Sequence, residues 1–508
     1  MKISHWDMGS EKAVYELWMR KSGDLLGMCH APQGACLQKF GCGSLSGLPQ
    51  FLFVLGGAMH IPRVILAGTN SGCGKTTVTC GILQALVNRQ LKVGAFKCGP
   101  DYIDTMFHSR ITGSRCTNLD LYLFSENTTR YLLAKNGRGR DINVVEGVMG
   151  FYDGLSMTSP EASTYAVSQA TRTPVVIVVG AKGAALSVLA TIQGFLTLYP
   201  DNRIQGVILN QCSPMVYAPL AKAIEERFHI KALGCLPPMP DCALESRHLG
   251  LVTAAEVENL KEKLQAMGQQ TEKYVDLDGL IALADQAEEL EYEPVELAKF
   301  DEPVRIAVSR DNAFCFYYED SLEALGEMGA QLVPFSPLAD EKLPDNIQGL
   351  YLCGGYPELY AKELSENTTM IHSVREAIAH GLPTIAECGG FMYLNQEIAG
   401  VPMVGAVPGT CFDNGRLTRF GYVTLRAKGD NLLCKAGEEI RGHEFHHWDS
   451  TEPGADFTAL KPSGKRSWDC AVVTDTLYAG YPHFHFYSNP VFAKGFYETC
   501  LKEKRKHD

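Results

Sequence analysis

The sequence predicts an α/β fold of two doubly wound parallel sheets, one in each half of the chain. Three observations carry this. Short apolar runs alternate with helix-length amphipathic stretches from Arg63 onward, an acidic segment at 285–294 interrupts the pattern once, and the alternation resumes at Val304. At 508 residues the chain exceeds what one hydrophobic core supports, and its 45% apolar content gives two domains enough to bury.

The elements follow in order. Residues 64–67 form a first strand that runs into a glycine-rich loop and then into a helix from Thr76, whose apolar positions recur at helical spacing. Strands are expected next at 93–96, 142–145, 174–179 and 206–209, with stretches between them long enough for crossover helices. The acidic run then reads as a solvated linker at 285–303, leaving a front domain at 62–284 and a rear domain at 304–502. Strands at 304–308, 349–352 and 383–386 open the rear domain. Residues 1–61 lie outside the pattern. They are expected to be poorly ordered, or to reflect a start placed too early, with Met59 as the first residue.

Composition narrows the function classes. A net charge of −12 argues against an extended nucleic-acid footprint and leaves small molecules as the expected partners. The 17 cysteines form no compact framework, which suits free thiols in a reducing cytoplasm. No run reaches the roughly 20 apolar residues that cross a bilayer, so no membrane partner is expected. The apolar run at 51–58 follows some mixed, acid-containing sequence, where a signal peptide would start with a basic region.

Ser71-Gly72-Cys73-Gly74-Lys75-Thr76-Thr77 has the chemistry of a phosphate cradle. Gly74-Lys75-Thr76 fits the end of the G-x-x-x-x-G-K-[ST] pattern, while Thr69 stands where the first glycine belongs. The context supports the variant, because a strand leads in and a helix leads out, which puts the positive end of the helix dipole beneath the phosphates. Glu146, at the end of the strand at 142–145, is the candidate Mg²⁺ ligand. Asp101 and Asp104 follow another strand end and by themselves would be ordinary turn or helix-capping acids.

Cys388 lies in Ala386-Glu387-Cys388-Gly389-Gly390, between a buried strand and the start of a helix. Such an elbow exposes the sulfur at a helix N-terminus, where the thiolate is favoured and the pKa is expected to fall. Attack on an amide needs an oxyanion pocket and a base. The backbone N–H groups of Gly354 and Gly355 are candidates for the pocket, and His483 for the base. His485, two residues on, is expected on the same strand face as the group orienting it. His443-Glu444-Phe445-His446-His447 satisfies the H-E-x-x-H zinc string, but Gly442 precedes it and Pro453-Gly454 follow closely. No helix of about 12 residues fits there, so a strand or loop lining the acceptor pocket is expected.

With these residues in place, the chain from about residue 62 onward resembles the cobyrinate a,c-diamide synthase family of glutamine-dependent amidases, which modify corrinoid rings. The segments that carry the resemblance are 68–77, 97–104 with Phe107-His108, Glu146-Gly147 with Asp153-Gly154, 246–251, 310–320, 354–360, 386–394, 442–446 and 483–490. The resemblance implies a front domain like dethiobiotin synthetase and a rear domain like a class I glutamine amidotransferase. It implies cobyrinate, glutamine and ATP as substrates in cobalamin biosynthesis, with Mg²⁺ as cofactor, and it allows a homodimer. ATP would phosphorylate the a and c carboxylates in turn, and ammonia released at Cys388 would displace phosphate.

Gly72, Gly74, Lys75, Thr76 and Thr77 would then hold the nucleotide phosphates and Asn210 would contact the base. Thr76, Glu146 and Asp101 would hold the metal, Asp101 and Asp104 would place the ring and metal, and Tyr102, Arg247 and His248 would face the macrocycle. The related triad enzymes carry an acid two residues beyond the catalytic histidine, where this chain has His485, so His483 and His485 could exchange roles. Hydrogenobyrinate, nickel-sirohydrochlorin and the cobyric acid synthase reaction are the rivals within the enzyme class. A partitioning-type ATPase is the rival outside it, and such a switch would have no use for Cys388.

Overall fold

The computed structural model describes residues 57–242, 246–247, 250–251 and 259–507. The front half holds a seven-stranded parallel sheet made of β1 (Arg63–Gly68), β2 (Val93–Cys98), β3 (Cys116–Leu119), β4 (Ile142–Glu146), β5 (Val175–Gly180), β6 (Ile204–Asn210) and β7 (Lys231–Leu236), in the spatial order β3-β2-β4-β1-β5-β6-β7. Alternate side chains of β1 leave the sheet on opposite faces. Val64 and Leu66 join one apolar cluster with Val78, Ile82 and Leu86 of α1 (Lys75–Asn88), and Ile65 and Ala67 join another with Phe96, Val145 and Ile177. Both faces are therefore covered, which is why these strands read as near-continuous apolar runs.

The rear half holds β8 (Arg305–Ser309), β9 (Gln331–Phe335), β10 (Gly349–Leu352), β11 (Thr384–Glu387), β12 (Val472–Val473) and β13 (Leu477–Gly480), in the order β9-β8-β10-β11-β13-β12. All are parallel except the edge strand β12. The doubly wound class expected for each half is thus present. The expected strands fall on β1, β2, β4, β5, β6, β8, β10 and β11, while β3, β7, β9, β12 and β13 were not among them.

The rear half also carries an antiparallel sheet that the sequence did not announce. Its strands run in the order Ser467–Cys470, Phe457–Leu460, Arg419–Ala427, Glu439–His446, His483–Phe484. The first four residues of the H-E-x-x-H string lie on the fourth of these, extended as expected and not helical. Within the stretch read as a linker, Leu290–Tyr292 pairs antiparallel with Gly57–Met59, and Leu290 and Tyr292 are buried. The described residues form one compact unit that contains both sheets.

Candidate functional site

The loop after β1 ends at Gly74, which has φ 92° and so needs a residue free of a Cβ. A Cβ there would also fall 1.9 Å from Asn210 Nδ2. That amide donates to the Cys73 carbonyl at 2.9 Å, so Asn210, expected at the base, braces the loop from the end of β6. α1 begins at Lys75 and aims its N-terminus at the loop. The Lys75 Nζ donates to the Met149 carbonyl at 2.5 Å, and burial lowers its pKa.

Lys97 on β2 and Glu146 on β4 are register partners, so their side chains meet on one face at 3.0 Å. Glu146 is fully buried and also accepts from Thr76 Oγ1 and His108 Nε2, both at 2.7 Å. Lys97 contacts Asp104 as well. Burial opposes the charge of Glu146, yet Lys97 and the hydrogen bonds from His108 and Thr76 hold its carboxyl well below the usual range. Asp104 takes the opposite shift, up to about 7, from burial and then from the charge of Glu146. Lys97 is held above its ordinary value by Asp104 and Glu146 despite its burial. Asp101 fills the role of a capping acid, accepting the Asp104 N–H at 2.9 Å. The Thr76 hydroxyl and the Glu146 carboxylate are hard oxygen donors beside a phosphate loop, a set that fits Mg²⁺.

In the rear half, Cys388 sits where β11 breaks into the short helix α2 (Gly389–Leu394). Its φ of 47° and ψ of −102° strain a residue that carries a Cβ, the backbone signature of a nucleophile elbow. The Cys388 N–H donates to the Gly480 carbonyl at 2.8 Å. A Cβ on Gly389 would lie 2.9 Å from Gly355 N, and one on Gly354 would lie 2.4 Å from His483 Cε1. The glycine pair, the elbow and the imidazole therefore converge, as an oxyanion pocket with its base requires.

Two expectations fail here. The Cys388 thiol is not activated by its helix terminus; burial, followed by the charge of Glu358, pushes its pKa up, and Glu387 and Glu444 add to the rise. Cys388 is 7% exposed, so desolvation of the thiolate outweighs the dipole of a six-residue helix. Nor is His485 the group that orients His483, whose Nδ1 meets Glu387. The strand ends at Phe484, and His485 caps the next turn, accepting the Tyr487 N–H at 3.2 Å, with its ring against Phe124 and Tyr318.

His483 is held instead by Glu387, whose Oε2 accepts from Nδ1 at 3.3 Å while Tyr351 donates to Oε1 at 3.2 Å. A carboxylate only accepts, so Nδ1 carries the proton and Nε2 is left with a lone pair. Glu387 was missed because the triad pattern looks beyond the histidine, whereas here the acid precedes the nucleophile on β11.

One aromatic wall separates the two sites. Tyr102, in the segment between Asp101 and Asp104, stacks on Phe316 at 5.3 Å and lies 4.7 Å from Tyr318, 5.6 Å from His443 and 5.2 Å from His483. His443 stacks on its register partner His483 at 5.1 Å and its Nδ1 meets the Tyr318 hydroxyl at 3.2 Å. Burial lowers the His443 pKa, as does His483. Polar ties flank the wall, from Tyr422 to Asp120 at 2.6 Å and from Lys135 to Glu327 at 2.7 Å. Arg247 lies on a two-residue strand that pairs with Gly250–Leu251, and His248 falls outside the described residues. Among the described residues no group of three or more His, Cys, Asp or Glu side chains is arranged to hold a metal ion, so the H-E-x-x-H string makes no zinc site there. No helix among the described residues is long and apolar enough to cross a membrane.

Comparison with known proteins agrees with this division. Residues 64–252 match the CobQ/CobB/MinD/ParA nucleotide binding domain and residues 305–491 the CobB/CobQ-like glutamine amidotransferase domain. The chain is 39% identical over 450 residues to a cobyrinate a,c-diamide synthase of Caldanaerobacter subterraneus, covering 87% of this chain and 99% of that one. It is 40% identical over 438 residues to one of Listeria monocytogenes, covering 84% and 97%. With one of Thermoplasma volcanium it shares 38% over 459 residues, covering 89% and 100%.

Proposed function

The chain belongs to the cobyrinate a,c-diamide synthase family, and from that premise we propose that it amidates the a and c carboxylates of cobyrinate with nitrogen from glutamine and energy from ATP. The observation that carries the reading is the shared wall: Tyr102 of the front site lies 5.2 Å from His483 of the rear one. Two chemistries that must exchange ammonia are thus built back to back. A carboxylate is a poor electrophile, and transfer of the γ-phosphoryl group of ATP gives it a leaving group, with ADP released. Ammonia then attacks the acyl carbon and phosphate and a proton depart.

Lys75 would neutralise phosphate charge, which its present contact with a carbonyl leaves it free to do by a side-chain rotation. Thr76 and Glu146 would hold Mg²⁺, which supplies charge neutralisation on the phosphates when bound. Asp101, Asp104 and Tyr102 would help to place the acceptor carboxylate, and Arg247 with His248 would meet other carboxylates of the ring. At the rear site, His483 Nε2 would take the Cys388 proton as sulfur attacks the glutamine side-chain carbonyl. Burial raises the thiol pKa, so the proton would pass to the imidazole as the sulfur attacks. Gly355 N–H would face the oxyanion. Cytoplasmic residence follows the same reading.

The test is the purified full chain with cobyrinate, glutamine and Mg-ATP, followed by mass spectrometry. Two successive replacements of hydroxyl by amine are expected. Unchanged cobyrinate beside converted hydrogenobyrinate or nickel-sirohydrochlorin would reassign the macrocycle.

A further inference from the structure

The string His443-Glu444-Phe445-His446 is extended and forms no metal-ligating cluster among the described residues, yet two of its side chains have work left over. On the strand Glu439–His446, Glu444 and His446 share a face, opposite to that of His443. Glu444 is 2% exposed and His446 is 7% exposed. One Glu444 oxygen accepts from Trp468 Nε1 at 3.3 Å, but Oε2 has no hydrogen-bond partner among the described residues. His446 Nδ1 lies 2.6 Å from the Trp448 carbonyl, an acceptor, so Nδ1 carries the proton. In the neutral ring Nε2 is then also an acceptor, and it too is unpartnered among the described residues.

Glu444 Oε2 and His446 Nε2 stand 3.9 Å apart, an ion-pair spacing when the ring is protonated; with the ring neutral, one nitrogen could sit about 2.8 Å from both. Buried acceptors left unfilled are costly, and what satisfies a pair of them is a donor with several protons, an ammonium above all. Lys461 does not fill the place, because its ammonium is taken by the Phe420 and Tyr422 carbonyls.

The location says which ammonium. His446 stacks on Tyr481 with ring centroids 4.0 Å apart and planes 6° apart, and Tyr481 follows Gly480, whose carbonyl holds the Cys388 N–H. Arg419 is the register partner of His446, is exposed, and lies over Trp468 at 4.8 Å. A pair of acceptors with a guanidinium beside it matches the ammonium and carboxylate of an α-amino acid.

We infer that Glu444 and His446 receive the α-ammonium of the donor amino acid while Arg419 meets its carboxylate, a site that rests on the glutamine reading of Cys388 and adds to it the basis of donor selection. The charge of Glu444 raises the Cys388 thiol, so binding of an ammonium beside Glu444 would also lessen that burden.

The test compares ammonia release from glutamine and from 4-carbamoylbutanoate, which is glutamine without its α-amino group. The full-length wild type should prefer glutamine in kcat/KM by about 100-fold, because a buried acceptor pair left empty rejects the analogue. In Glu444→Gln, which keeps an oxygen for Trp468, the preference should shrink to below about 5-fold, through KM for glutamine, with amidation from free ammonia unchanged. Equal preference in wild type and variant would overturn the site. Should Glu444→Gln lose the ammonia reaction as well, His446→Asn provides the same two outcomes. A wild type that releases no ammonia from glutamine would instead defeat the reading of Cys388 itself.

Discussion

The front and rear sites bury comparable numbers of polar side chains but leave them in opposite conditions. At the front, Glu146 accepts from Thr76, Lys97 and His108, and Lys97 in turn contacts Asp104, so every charge has a partner. At the rear, Cys388 is a buried thiol whose pKa burial raises, Glu387 and His483 form one hydrogen-bonded pair, and Glu444 Oε2 and His446 Nε2 have no hydrogen-bond partner among the described residues. The difference follows from the tasks. A site for a highly charged nucleotide can be preorganised as an ionic network that the ligand's own charge joins, whereas a site for a small zwitterion must hold back acceptors for a donor that arrives with the substrate.

That contrast can be broken at several points. The largest effect belongs to Cys388→Ala, which should lower glutamine-dependent amidation by about 10⁴-fold or more while ammonia-dependent amidation stays within about twofold, read as product mass. Loss of both would mean that the two sites are not separate. Lys75→Ala should cut amidation from either nitrogen source by about 10³-fold, and survival of the ammonia reaction would remove Lys75 from the phosphate site.

Glu387→Gln probes the link between acid and imidazole. It should reduce kcat with glutamine by about 10²-fold and leave the ammonia reaction alone, since a neutral amide no longer holds the Nδ1–H tautomer. Alkylation of Cys388 without substrate tests the raised thiol. A thiol shifted upward gains thiolate throughout the range below its pKa, so the rate should climb about tenfold per pH unit from 7 to 9, followed on the Cys388 peptide. A plateau below pH 8 would restore the activated thiolate that the sequence suggested. The smallest effect is expected of Tyr102→Ala, which removes a ring from the wall and should let glutamate formation exceed amide formation by about threefold.

Much of this was legible in the chain. The strands β1, β2, β4, β8, β10 and β11 announced themselves because each is apolar on both faces, and the phosphate loop was legible despite Thr69 because Gly74-Lys75-Thr76 sits between a strand and a helix. Lys97 was readable in principle as a lone cation inside the buried run of β2. The antiparallel sheet was not, since its strands mix exposed and buried residues and their pairing joins segments far apart in sequence, as His443 with His483.

The sequence by itself therefore determined the local devices: two parallel sheets, a loop fitted to phosphates and an elbow that strains one cysteine. Only the tertiary structure decided how those devices are charged. Whether a thiol ionises depends on how completely water is removed from it and which carboxylates surround it. The partner of an imidazole depends on which side chain packing brings to it, and here that is Glu387, at the end of a strand that pairs with Leu477–Gly480. Desolvation and long-range pairing are properties of the packed chain, and no window of neighbouring residues contains them.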